Sequence, residues 1–235
     1  MTARVSLALE SSALRTLVPK LRMAPKPTHL VVDTNCFLRL LDWGPRPLVG
    51  QTVASFRLVT TEKLVAEGQS DDLQEKYPKL GDAGIQRELK AAALKFSPRD
   101  KKALREDTED FRAQGNAIVE LHCIAQRTSI RTLSFVDASL WATAVHMQGA
   151  LATDEWALTL AAERIPYDDE GNCLQVFSSV HILHMLEAAG KLDPNERWNM
   201  MRQWRRENEK LHRDADKHYK SLFGEAPPTA KSPPR

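Results

Sequence analysis

One stretch narrows the fold more than any other: His29-Leu30-Val31-Val32-Asp33-Thr34-Asn35-Cys36-Phe37-Leu38. A short apolar run stops on an acid, and helix-spaced apolar positions follow at once. Packing alone gives no reason for a hydrophobic strand to end in Asp-Thr-Asn, because an unpaired carboxylate at a buried strand end is costly. The arrangement makes sense where the carboxylate projects from the C-terminal edge of a parallel sheet, the edge at which open α/β folds bind ligands. The simpler alternative makes Asp33 the N-cap of the helix that begins near Cys36.

Further acids recur in the same kind of setting. The strand-like Phe56–Thr61 is followed by Glu62 and, on the next helix, by Glu67. Glu62 is a first-turn acid favoured by the helix dipole and is set aside. Asp137 opens an apolar helix that carries Leu140, Trp141, Ala144 and Val145. Gly149–Leu158 then repeats the opening design, with a short strand, Thr153, the acids Asp154 and Glu155, and a helix. Taken singly, each acid fits a cap or a solvated helix position. Acids at two strand ends and on two helices share one cleft only if the sheet is parallel, as a βαβ alternation provides.

This ordered set resembles the PIN-domain nucleases. The likeness rests on Val-Val-Asp-Thr-Asn at the first strand, Glu67 after the second, Ser134-x-x-Asp137-Ala138 on a later helix, and Ala152-Thr153-Asp154-Glu155 at the fourth. It covers about His29 to Ile165. It implies an α/β fold with three α/β/α layers around a central parallel sheet. It also implies metal ligation by Asp33, Glu67, Asp137 and one of Asp154 or Glu155. The family's last motif is Thr-x-Asp; here its register falls on Thr153-x-Glu155 with Asp154 as an additional acid, so both remain candidates. Thr34, Asn35 and Thr153 are the groups expected to orient ligands, water or phosphate.

Phosphodiester hydrolysis needs charge neutralised on the phosphate and a hydroxide made near neutral pH, and a divalent cation does both. Mg²⁺ and Mn²⁺ take oxygen ligands, which suits a carboxylate set without His or Cys. The resemblance therefore implies a divalent-metal-dependent ribonuclease. Small bacterial members of the family resemble the toxins of toxin–antitoxin pairs, so a small antitoxin and a homodimer are weakly implied as partners beside RNA. Two other readings compete. A haloacid-dehalogenase-like phosphatase needs Asp-x-Asp, and Asn35 occupies its second acidic position. A catalytically silent RNA- or protein-binding module on the same scaffold is the alternative from a different class.

The 235 residues suffice for one sizeable domain with appendages. No apolar run approaches a membrane span. Three widely spaced cysteines form no metal motif or disulfide framework, as expected of a reducing cytoplasm. The net charge of +2 does not by itself mark a nucleic-acid binder. The C-terminal region carries Arg202, Arg205 and Arg206 among Trp198 and Trp204, a pattern that suits RNA contact. Acids alternate with these bases, as on a salt-bridged packing helix. The expected organisation is an N-terminal helix and linker over 1–28, the nuclease-like domain over 29–190, a C-terminal basic helix over 191–225 and a disordered tail over 226–235. Within the domain, a charged helical insert over 70–115 is expected to form a lid, a clamp or an oligomer contact. His181 and His184 lie on one helical turn and are assigned to packing.

Overall fold

The structure is a computed structural model that describes residues 28–43 and 49–235. The N-terminal helix and linker expected over 1–28 lie outside the described residues except for Thr28, which opens the first strand. The chain runs β1 (Thr28–Val32), α1 (Thr34–Trp43), β2 (Thr52–Val53), β3 (Phe56–Val59), α2 (Glu62–Glu67), α3 (Asp71–Lys76), a 3-10 turn (Pro78–Gly81), α4 (Ala83–Ala92) and α5 (Pro98–Gln126). It continues through α6 (Phe135–His146), β4 (Ala150–Ala152), α7 (Trp156–Ala162), β5 (Val176–Phe177), α8 (Ser179–Ala188), α9 (Pro194–Arg206) and α10 (Ala215–Phe223).

The strands form one sheet in the order β2-β3-β1-β4-β5. β1 lies parallel to β3 and β4, and β4 parallel to β5. The expected central parallel sheet is present with an antiparallel edge, so the whole sheet is mixed: β2 pairs antiparallel with β3. The two-residue turn at Ala54-Ser55, with Ala54 at φ 55°, folds this edge hairpin back on itself.

Alternation along the strands divides the core. Leu30, Val32, Phe56, Leu58, Ala150, Ala152 and Phe177 face one way, beneath α1, α4, α8, α9 and α10. Val31, Val59 and Leu151 face the other, beneath α5, α6 and α7. Both faces are covered, so the strands read as continuous apolar runs. The result is a three-layer α/β/α arrangement.

Three expectations fail on local grounds. The insert has no boundary at 115, because α5 runs unbroken from Pro98 to Gln126. Gly115 serves close packing rather than a chain break: a Cβ there would press on Leu133, Trp141 and Ala161. The earlier part of the insert is core as well, with Leu80, Ile85 and Leu89 buried.

The basic C-terminal helix is two helices. Asp193 and Pro194 start α9, with Glu196 completing a capping box. The helix nevertheless stops at Arg206, and Asn208 takes the left-handed conformation (φ 54°). The tail over 226–235 is ordered rather than disordered. The Trp198 indole donates to Pro233 O (3.2 Å), Asn199 Nδ2 donates to Arg235 O (2.8 Å), and the Arg235 guanidinium lies 3.5 Å from the Trp198 ring centroid. Proline limits the conformations the tail gives up on docking, and these contacts fasten its end.

Among the described residues, no helix is long and apolar enough to cross a membrane.

Candidate active site

Asp33 is the first residue beyond β1. Its N–H donates to Ala152 O (2.9 Å), extending the ladder with β4, and its carbonyl accepts from Phe37 N (2.9 Å), opening α1. Sheet and helix thus fix its backbone on both sides and leave the carboxylate at the C-terminal edge of the central strand. The residue is 7 % exposed. The Thr153 hydroxyl donates to Asp33 Oδ2 (3.1 Å) from the equivalent position after β4. Thr153 is itself held by its N–H to Phe177 O (2.8 Å), and its hydroxyl accepts from Glu155 N (3.1 Å). Burial pushes the Asp33 carboxyl up to about 7; the Thr153 hydrogen bond opposes this, and the Asp137 and Asp154 carboxylates add to it.

The other acids are held in different ways. Asp137 closes the capping box of α6, accepting from Ser134 N (3.0 Å) and Ser134 Oγ (2.7 Å) while its charge reaches Asp33. Glu67, at the end of α2, accepts from Thr34 Oγ1 (2.6 Å), so the residue after Asp33 orients it. Asn35 is exposed on the first turn of α1. Glu155 is the half-buried N-cap residue of α7 and gives it no side-chain cap.

Asp154 points away into the structure. It is ion-paired with Arg39 and hydrogen-bonded by the Ser179 hydroxyl, by Ser179 N (3.1 Å) and by Cys36 Sγ (3.7 Å). Of the two acids after Thr153, Glu155 is the one not committed to this internal network.

Arg39 was not singled out in the sequence, yet it organises this region. It is 2 % exposed; beyond Asp154, it donates through Nη2 to Lys210 O (2.5 Å) and pairs through Nε with Glu209 (3.3 Å). It thereby fastens the loop between α9 and α10 beside the sheet edge. A signal did exist. Position 39 lies three residues after Cys36, among Phe37, Leu38, Leu40 and Leu41, and an arginine on a core-facing helical surface requires a buried acid.

Two of the three arginines expected to contact RNA bond within the chain. Arg202 Nη1 donates to Ser232 O (3.5 Å), Arg205 is ion-paired with Asp216, and Arg206 is exposed. Arg197 is buried between Glu187 (3.2 Å) and Glu225 (2.6 Å) and lies 4.0 Å from the Phe223 ring centroid. His181 packs as expected: its Nδ1 accepts from Ser178 N (3.0 Å), and its ring lies 4.6 Å from that of His218. Burial, then repulsion from His218 and His212, holds it down to about 3 and so keeps it neutral.

Among the described residues, no group of three or more His, Cys, Asp or Glu side chains is arranged to hold a metal ion. Glu67 and Asp137 are turned to Thr34 and Ser134, and Asp154 to Arg39. By donor type, the carboxylates around Asp33 and the Thr153 hydroxyl fit a hard divalent cation. Asp33 itself is buried, with the Thr153 hydroxyl as its side-chain partner. No protein-family model, curated protein or solved structure matches this chain.

Proposed function

We propose that the protein is a divalent-metal-dependent nuclease that hydrolyses RNA phosphodiester bonds at the sheet edge around Asp33. The observation that carries the proposal is the placement of Asp33. A carboxylate is fixed by sheet and helix at the C-terminal edge of a central parallel strand, buried, and hydrogen-bonded to Thr153 from the neighbouring strand. Such a group is costly unless a cation joins it. Asp137 and Asp154 are close enough to influence its charge, and Thr34 ties Glu67 to the same edge.

Asp33, Asp137, Glu67 and Glu155 are the residues that would hold Mg²⁺ or Mn²⁺. Asp137 and Glu67 would exchange their hydroxyl partners for the ion. When bound, the ion would supply charge neutralisation on the phosphate and a hydroxide near neutral pH. Thr153 keeps the Asp33 carboxylate oriented, and Arg39 holds Asp154 as a fixed structural charge beside it.

The test is cleavage of a mixed RNA pool with Mg²⁺ or Mn²⁺ by the native protein, Asp33→Asn and Asp137→Asn. Both substitutions are nearly isosteric. Metal-dependent cleavage by the native protein, reduced at least 100-fold in each variant, is the expected result, on the scale of losing one electrostatic group at a reacting centre. A folded native protein that leaves RNA intact overturns the proposal in favour of a binding module.

A further inference from the structure

α5 and α7 pack antiparallel. Gly115 of α5 lies against Ala161 near the end of α7, whereas His122, toward the end of α5, meets Trp156 at the start of α7 with ring centroids 5.7 Å apart. Trp156 therefore sits at the strand edge that carries Asp33. It immediately follows Glu155, whose N–H is bound by the same Thr153 hydroxyl that donates to Asp33. Arg213 also reaches the indole, its guanidinium 5.3 Å from the ring centroid. Arg213 belongs to the α9–α10 loop that Arg39 fastens through Glu209 and Lys210.

This corner concentrates positive charge. His122 is held below its usual range by partial burial first, then by the Arg213 and Arg164 guanidiniums. Arg213 and Arg164 are both exposed. Arg213 is ion-paired with Asp214, the next residue, with 3.6 Å between Nε and the carboxylate. An exposed pair of this kind is worth little. An aromatic ring with a guanidinium over it, near a second arginine and beside the Asp33 edge, matches an unpaired nucleic-acid strand. The half-buried ring offers its open part to a base, and the guanidiniums meet the adjacent phosphates.

We infer that Trp156, Arg213 and His122 form the binding surface for an unpaired nucleic-acid strand, delivering its backbone to the edge at Asp33. This rests on the nuclease proposal for its purpose, but not for its test. A duplex hides its base faces and cannot extend the Trp156 stack, so the surface selects single strands. Arg39 acts here as a positioning residue, since it sets the loop that carries Arg213.

Binding is measured by fluorescence anisotropy in EDTA, which removes cleavage from the readout. The probes are a labelled ten-nucleotide RNA, the DNA of the same sequence and an RNA hairpin duplex. The native protein should bind both single strands more tightly than the hairpin. Trp156→Ala should weaken single-strand binding on the order of ten-fold, and Trp156→Phe should restore most of it. Arg213→Gln should weaken binding and reduce the salt dependence by about one phosphate contact. Arg213 is exposed, so that variant decides the matter even if Trp156→Ala fails to fold. No binding by the native protein, equal binding to the hairpin, or native affinity in folded Arg213→Gln and Trp156→Ala would overturn the inference. Binding that obeys these rules without any metal-dependent cleavage would retain the surface and reject the nuclease.

Discussion

Asp33 binds its proton more tightly in the folded protein than in the unfolded chain, where a carboxylate titrates near pH 4. Its contribution to stability is therefore complete below that value and is lost as the pH rises through about 7. Asp33→Asn removes this dependence. In the absence of metal, the variant should match the native protein near pH 4 and exceed it by up to about 4 kcal/mol at pH 8. Urea melts of the two proteins across this range check it; parallel curves at every pH would show that Asp33 ionises without strain. Arg39 shows the opposite economy. Arg39→Met leaves Asp154 buried without its cation and should cost about 3–5 kcal/mol. Adding Asp154→Asn should recover part of that loss in the same melts. Asp33 was legible in the sequence because an acid ending an apolar run is a local anomaly. Asp154 was legible as an acid but not in its role, since its partners Arg39 and Ser179 lie far along the chain and converge only in the folded sheet.

At the scale of elements, local chemistry wrote most starts and few stops. Asp193-Pro194 and Gly190 mark the boundaries between α8 and α9, because caps and left-handed glycines act on their immediate neighbours. The break after Arg206 has no comparable mark: Asn208 turns the chain, and the Arg39 contacts to Glu209 and Lys210 hold the loop in place. Gly115, at the expected end of the insert, is a packing notch. Gly149 is a sharper case. A Cβ at this position, just before β4, would collide with the His29 carbonyl oxygen of β1, which is backbone and cannot step aside. Gly149→Ala should therefore destabilise by about 1–3 kcal/mol, as overpacking does. Thermal melts test this, and an unchanged or raised melting temperature would contradict the close approach.

Across the whole molecule, the layering followed from the apolar strand runs, and the mixed sheet did not, because β2 is only two residues long and carries almost no pattern. The ordered tail escaped notice for a different reason. Proline-rich composition describes what a segment does alone, whereas Trp198, Asn199 and Glu225 provide the surface on which this one docks. The positive surface also moved. Charge density along the sequence pointed to α9, but its arginines are largely used within the fold. The exposed cation left beside Trp156 comes from the α9–α10 loop. Linear clustering finds arginines; only packing decides which remain available to a phosphate.

The central claim is that the fold holds Asp33 for a divalent cation. The direct measurement is calorimetric titration of the native protein and Asp33→Asn with Mn²⁺ at pH 6.5, in two buffers of different ionisation enthalpy. The account predicts binding by the native protein with a buffer-dependent heat that reports proton release, and its loss in Asp33→Asn. Absence of binding by the native protein, or equal binding by the two proteins with heats independent of buffer, would contradict it.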